Sequence, residues 1–111
     1  MPDESPLLDT LAAMTAASIA ECDLEPRELM LARIAALAAV GAPPVSYLAN
    51  AGTASDVGIT LEDVQGVLIA VAPIVGTARA VAAAGNITRA LGFAIAAVEA
   101  ELEAELEAET D

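Results

Sequence analysis

The chain contains no histidine, no lysine and no tryptophan, and it has a single cysteine, Cys22, among its 111 residues. One cysteine cannot form an intramolecular disulfide or a two-thiol redox centre, and without histidine there is no Cys/His cluster with metal-ligand spacing. We therefore expect no metal and no other cofactor. The position of Cys22 fits a small, half-buried apolar residue near a helix end.

Positive charge is also scarce. Four arginines stand against 17 acidic residues, which gives a net charge of −13. This negative field repels phosphate backbones and anionic lipid surfaces, so we expect no nucleic acid partner. Each arginine is expected to pair with a carboxylate. Much of the acidity lies in residues 99–111, which we interpret as an acidic tail, helical or frayed, that follows a domain of residues 1–98.

Aromatic residues make up only 2% of the chain, whereas hydrophobic residues make up 57%. The core must therefore consist mainly of Ala, Leu, Val and Ile, and the apolar fraction exceeds what a monomer of this size can bury. We therefore expect association between copies of the chain.

Two long uncharged segments raise the question of a membrane span. Residues 34–55 are interrupted by Pro43 and Pro44, and residues 64–78 are too short for a bilayer core and contain Pro73. We expect both to be buried helices and the protein not to enter a membrane. The chain opens with an acidic rather than a basic segment, which favours a cytoplasmic protein over a secreted one.

Apolar residues recur at three- and four-residue steps, and the alternation typical of strands is absent. Caps and breakers divide this pattern into helices. The first spans about 6–22, the second follows residues 23–25 and ends at Gly41, and the third begins at Pro43-Pro44 and stops near Gly58. The fourth follows the Thr60 cap and should bend or break around residues 73–76, and Thr77 caps a long last helix. The prediction is an all-α, single-domain bundle of about five to six helices. Seven apolar residues form the expected buried edge of the last helix: Val81, Ile87, Leu91, Ile95, Val98, Leu102 and Leu106.

Four motifs in order carry a family resemblance. They are Leu24-Glu25-Pro26-Arg27-Glu28-Leu29, the segment 35–41, Gly58-Ile59-Thr60-Leu61-Glu62-Asp63-Val64 and Ala70-Val71-Ala72-Pro73-Ile74-Val75-Gly76. This ordered set resembles the carboxymuconolactone decarboxylase and alkyl hydroperoxidase (AhpD)-like superfamily over about residues 24–91. The resemblance implies a small all-helical protein that assembles into dimers, trimers or hexameric rings.

Peroxidase-like members carry a Cys-x-x-Cys-x-x-x-His motif on the helix before the Gly-hydrophobic-Thr turn. The resemblance places its three reactive positions on Pro43, Ser46 and Asn50, so all three are substituted. Without a low-pKa thiolate and a resolving thiol, we expect no peroxidase or disulfide-reductase activity. Asn50 cannot exchange protons near neutrality, so the imidazole of decarboxylase-type members is also missing. The family's relay acid falls on Glu28.

Glu28 has two interpretations. In the first turn of a helix its carboxylate is stabilised by the helix dipole without any catalytic role. Alternatively it is a buried acid/base residue of a cofactor-free lyase or decarboxylase, and burial without an arginine partner would favour that view.

Four other residues are candidates for ligand binding: Ser46, Tyr47, Asn50 and Arg79. Ser46, Asn50 and Thr53 share a polar helix face that either lines a pocket or is simply solvated. Tyr47 can offer its hydroxyl to that pocket or contact another subunit. Arg79 either pairs with a carboxylate or clamps a carboxylate substrate.

The sequence thus favours a non-redox protein that binds a small molecule or serves as a structural homo-oligomer, with a lyase acting through Glu28 as the alternative. The acidic tail is a solubilising end or, alternatively, a helix that docks a partner protein through an apolar stripe. That stripe consists of Ile95, Val98, Leu102 and Leu106.

Overall fold

A computed structural model describes residues 5–110 and places five helices in this part of the chain. They are α1 (Pro6–Glu21), α2 (Pro26–Val40), α3 (Pro44–Asp56), α4 (Leu61–Val75) and α5 (Thr77–Thr110). No strand occurs in the described range. The all-α, single-domain prediction is confirmed, and the helix boundaries lie within one or two residues of those expected from caps and breakers.

The helix ends follow local chemistry. Three helices have proline in their first turn, where the missing N–H is no loss. At the start of α4, the Thr60 hydroxyl accepts from the Asp63 N–H at 3.0 Å, and the Asp63 carboxylate accepts from the Thr60 N–H at 2.9 Å. This is the expected capping box. Gly41 ends α2 with φ +74°, in the left-handed region that favours glycine.

Two details of the last helix differ from expectation. Thr77 is the first residue of α5 rather than its cap, and the preceding Gly76 carbonyl accepts from the Ala80 N–H at 3.1 Å. A single glycine therefore ends α4 and begins α5, which leaves no separate residue for a side-chain cap. The acidic segment, described as far as residue 110, belongs to α5, and its residues 99–109 are exposed.

The core lies around α2, which packs against α3, α4 and α5, while α3 and α4 also pack against α5. The fully buried apolar residues are Met30, Ile34, Ala38, Ala42, Tyr47, Ala83 and Ala90. Four of these seven are alanines, so the helices approach closely and the core is thin, as the composition predicts.

Two apolar helix faces expected in the core are exposed in the single chain. Helix α1 has no buried residue, and Leu7 is 68% exposed. Along α5 the predicted buried edge is wrong: Ile87 is half-buried, but Val81, Leu91, Ile95, Val98, Leu102 and Leu106 are all exposed. The helix instead buries Ala83 and Ala90, because these small residues allow close contact with its neighbours.

Helix α4 also differs from the buried helix that was expected, since it contains no fully buried residue.

A separate observation concerns membranes. By length and composition alone, the 33 residues Thr77–Glu109 of α5 could cross a membrane. Of the most apolar 18-residue stretch within them, 11% is buried. A single such helix is weak evidence for a span.

The prediction that every arginine pairs with a carboxylate is wrong. Within residues 5–110, only Arg27 forms an ion pair, with Asp63 at 2.8 Å. Arg33 donates to the Ser18 hydroxyl, which links α2 to α1. The other two donate to neutral oxygens: Arg79 to the Ala39 carbonyl at 2.7 Å and Arg89 to the Asn86 side chain at 3.1 Å.

Candidate functional site

A cavity of about 280 Å³ opens between α2, α3, α4 and α5, and its wall is almost entirely apolar. It is lined by Ile34, Leu37, Tyr47, Asn50, Ala51, Ala54, Ser55, Ile59, Thr60, Leu61, Val64, Ile87, Ala90, Leu91 and Ala94. None of these residues carries a charge or a thiol. Such a cavity has the shape and polarity of a small-molecule site with a few orienting polar groups.

Tyr47 is the most distinctive polar residue of the wall. Its side chain is 8% exposed and packs in the core cluster with Ala42 and Ala90. Its hydroxyl is buried and has no hydrogen-bond partner among the described residues. Burial disfavours the phenolate and raises the pKa of Tyr47 above its ordinary value. The hydroxyl is therefore a protonated donor that nothing in residues 5–110 satisfies.

The three positions that the resemblance assigns to a redox motif occupy different surroundings. Asn50 lines the cavity and donates through Nδ2 to the Ser46 carbonyl at 2.9 Å, one turn earlier. Ser46 is half-buried but does not line the cavity, and Pro43 is exposed at the start of α3. Thr53 is exposed, so the predicted Ser46, Asn50 and Thr53 face reaches the cavity only through Asn50.

Glu28 and Arg79 lie outside this cavity. Glu28 is exposed in the first turn of α2, where its Oε1 accepts from the Glu25 N–H at 3.4 Å. This position matches the helix-end interpretation and lacks the burial that an acid/base role was expected to require. Arg79 uses Nη1 for the Ala39 carbonyl and helps to hold the start of α5 against the end of α2. The structure thus places Tyr47 and Asn50 in the cavity wall and leaves Glu28, Ser46 and Arg79 outside it.

One wall of the cavity is held by the ion pair between Arg27 and Asp63. Arg27 donates to both carboxylate oxygens of Asp63, at 2.8 and 3.0 Å, and also to the Gly58 carbonyl at 3.2 Å. These bonds hold the segment 59–61, which lines the cavity, between the first turns of α2 and α4. The hydrogen bonds from Arg27 and Thr60 hold the pKa of Asp63 well below its usual range, because they stabilise the carboxylate.

Sequence reasoning missed most of this wall. Ile34, Val64, Ile87 and Leu91 were expected only as apolar faces, because their three- and four-residue spacing is the same for a core and a cavity. It also missed Asn86, which donates to the Ala42 carbonyl at 3.1 Å and joins α5 to the α2–α3 connection. No motif marks Asn86 in the sequence.

The fold and the cavity define a class of protein: a small all-helical domain with an uncharged, mostly apolar cavity between its helices. The sequence model of the carboxymuconolactone decarboxylase family matches residues 6–90, and the chain belongs to that family. The match ends before the acidic segment. Searches of curated proteins and of solved structures return no match. Family membership confirms the resemblance drawn from the four sequence motifs.

Proposed function

We propose that this carboxymuconolactone decarboxylase-like protein has no thiol redox centre and that it is a homo-oligomer that binds a small molecule in the cavity beside Tyr47 and Asn50. The single observation that carries the proposal is the wall itself: about 280 Å³ of space bounded almost entirely by apolar side chains, with Asn50 among its few polar residues. A binding role needs only shape and a few polar groups.

The position of the lone thiol supports a non-redox role. Cys22 follows the last turn of α1, and its Sγ accepts from the Leu24 N–H at 3.5 Å. It does not line the cavity, where Asn50 occupies the place that the resemblance gives to histidine. A dithiol relay needs two thiols within reach of each other, and this sequence contains one cysteine.

Exposed apolar surface supports self-association. Helix α1 has no buried residue, and Leu7, Leu11 and Met14 form an exposed apolar stripe along it. The stripe on α5 is exposed as well. Contiguous apolar surface on a soluble chain marks a protein contact or a membrane contact, and the oligomeric rings implied by the resemblance favour a second copy.

Binding can be tested with benzene, since a dry apolar cavity of about 150 Å³ is enough to hold this molecule. Titration followed by methyl NMR should shift the signals of the cavity residues Ile34 and Ile87 and leave the exposed Leu106 unchanged. Replacing Ala51, an exposed wall residue of α3, by leucine should fill the space and weaken binding. The matched control is Ala49→Leu, on the same helix but outside the cavity.

Equal effects of Ala51→Leu and Ala49→Leu, or no shift at Ile34 and Ile87, would contradict binding in this cavity. The non-redox part has its own test. The purified protein should not accelerate the consumption of hydrogen peroxide by a dithiol reductant. Any turnover would contradict a non-redox role, and turnover that alkylation of Cys22 abolishes would show a thiol redox centre.

A further inference from the structure

Two helical segments of this chain leave all of their residues exposed. Every residue of α1 is exposed, and in the described range extensive packing between helices involves only α2, α3, α4 and α5. A hydrogen bond of 3.1 Å from Arg33 to the Ser18 hydroxyl links α1 to α2. In α5, every residue from 95 to 109 is exposed as well. We refer to residues 95–109 as the outer half of α5.

The exposed area of the chain is larger than that of a compact monomer of its mass. The accessible surface is 7571 Å², whereas a compact monomer of 11.1 kDa exposes about 5,700 Å². The excess is more than about 1,000 Å² per chain, and a stable protein interface covers about 800 Å² on each partner. The excess is therefore large enough for a contact with a second copy of the chain.

Charge limits which segments can face each other in such a contact. Residues 99–109 contain six glutamates and no basic residue, so the outer halves of two copies would repel each other if they were paired. Helix α1 carries only two acids, Asp9 and Glu21. Pairing of α1 with α1 would leave the outer half of α5 uncovered. One second copy covers both segments with the least repulsion when α1 of each copy packs against the outer half of α5 of the other.

The spacing of the apolar residues fits this pairing. On α1 and on the outer half of α5, the exposed apolar residues recur at three- and four-residue steps, so each set shares one helix face. The two sets are Leu7, Leu11 and Met14 on α1, and Ile95, Val98, Leu102 and Leu106 on α5. When the helices run antiparallel and Leu11 lies opposite Leu102, Leu7 lies opposite Leu106.

The helix dipoles favour this antiparallel orientation. It places the positive N-terminal end of α1 beside the last glutamates of α5, where a positive field stabilises carboxylates. A parallel orientation would instead place Glu21 and the negative end of α1 beside the same glutamates.

We propose that two copies of this chain associate by a reciprocal contact in which α1 of each copy packs antiparallel against the outer half of α5 of the other. This inference rests on the self-association in the proposed function and adds the surfaces that form the contact. Because the exchange is reciprocal, the two contacts are related by a twofold axis and the pair is closed.

Disulfide trapping tests the pairing, because a disulfide forms only between cysteines whose Cα atoms lie within about 7 Å. Leu11→Cys and Leu102→Cys, each in a Cys22→Ser background and with a tag of different mass, are co-expressed, purified and oxidised. They should form a covalent heterodimer, and neither variant alone should form a covalent homodimer. The matched control pair, Ala13→Cys with Ala104→Cys on the opposite sides of the two helices, should not crosslink.

The same experiment measures the orientation of the helices. Leu7→Cys should crosslink with Leu106→Cys and not with Ile95→Cys. The reverse result would overturn the antiparallel arrangement.

Sedimentation velocity provides a readout without engineered thiols. Leu102→Glu should lower the oligomeric state, and Ala104→Glu should leave it unchanged. Both positions are exposed in the single chain, so neither change disturbs its core. An unchanged oligomeric state in Leu102→Glu would overturn the proposed contact.

The remaining outcomes separate this inference from the function on which it rests. If wild type is monomeric, both the self-association and the inference are wrong. If wild type associates but Leu11→Cys or Leu102→Cys alone forms the covalent dimer, copies associate and the assigned surfaces are wrong. A disulfide only within one chain of the double variant would mean that α1 packs on its own α5. Co-sedimentation of wild type with phosphatidylcholine vesicles, without any crosslink, would assign the apolar faces to a membrane and overturn the inference.

Discussion

Replacing Tyr47 with phenylalanine should stabilise the ligand-free protein. The ring packs in the core with Ala42 and Ala90, and the change keeps that packing. It removes only a buried hydroxyl without a partner in residues 5–110, whose desolvation costs about 1–3 kcal/mol. Taking the low end of that range, we expect a gain of about 1 kcal/mol. For a domain of this size this corresponds to a rise of roughly 4–8 °C in Tm.

Urea unfolding followed by circular dichroism measures this gain, at one fixed protein concentration because the proposed self-association would add a concentration-dependent contribution to stability. Tyr47→Ala, which also removes the ring, should instead lose about 3 kcal/mol or more. A loss of about 1 kcal/mol or more in Tyr47→Phe would refute the reasoning, because it would mean that the hydroxyl has a stabilising partner such as an ordered water or another subunit.

Alkaline pH gives the same prediction a second readout. The pKa of Tyr47 is raised by burial, so the folded state holds the phenolic proton more tightly than the unfolded state. The stability that follows from this difference is fully present below the unfolded pKa of about 10 and is lost as pH rises through the higher folded pKa. Wild type should therefore lose stability above about pH 10 faster than Tyr47→Phe. Equal pH profiles would contradict burial of the hydroxyl.

Three other predictions concern the frame around the cavity. Asp63→Asn removes the ion pair with Arg27 and should lower the free energy of unfolding at pH 7. Because the pKa of Asp63 is lowered in the folded state, the stability difference between wild type and this variant should shrink as pH falls below about 4. Replacing the exposed Glu62 with glutamine should have little effect at either pH. Gly41→Ala, at φ +74°, should lower the free energy of unfolding in urea by about 1 kcal/mol. Gly66 lies inside α4 with open space where a Cβ would stand, so Gly66→Ala should raise it by about 0.5–1 kcal/mol. Equal effects of the two variants would contradict the left-handed end of α2. Leu11→Glu on the exposed stripe of α1 should lower the oligomeric state measured by sedimentation velocity. Ala13→Glu, on the opposite side of the helix, should leave it unchanged. If neither variant changes the oligomeric state, α1 is not part of the subunit contact.

Helix boundaries were largely predictable because their signals are local. Proline in the first turn, the Thr60 and Asp63 capping box and Gly41 each act on the backbone within a few residues. The family assignment was predictable for a related reason: the ordered motifs from Leu24 to Gly76 lie in the caps and turns, and these can be recognised in a single sequence.

The composition of the site was predictable only in part. Tyr47 and Asn50 were candidates because the resemblance aligned α3 with a redox helix, and both line the cavity. Glu28 was a candidate for the same reason but lies exposed at a helix end. Spacing along one helix identifies a face and does not identify what lies opposite it, so the other three walls of the cavity could not be assigned.

Local pattern and composition, available from the sequence alone, determined that this chain is all-α and belongs to the carboxymuconolactone decarboxylase family. They also placed Asn50 and Ser46 at positions to which the resemblance assigns imidazole and thiol. Tertiary structure decided which apolar faces are covered, which arginine finds a carboxylate and which polar group is buried without a partner. These outcomes depend on the distance between residues far apart in the chain, such as Arg27 and Asp63 or Tyr47 and Ala90, and helical periodicity carries no information about that distance.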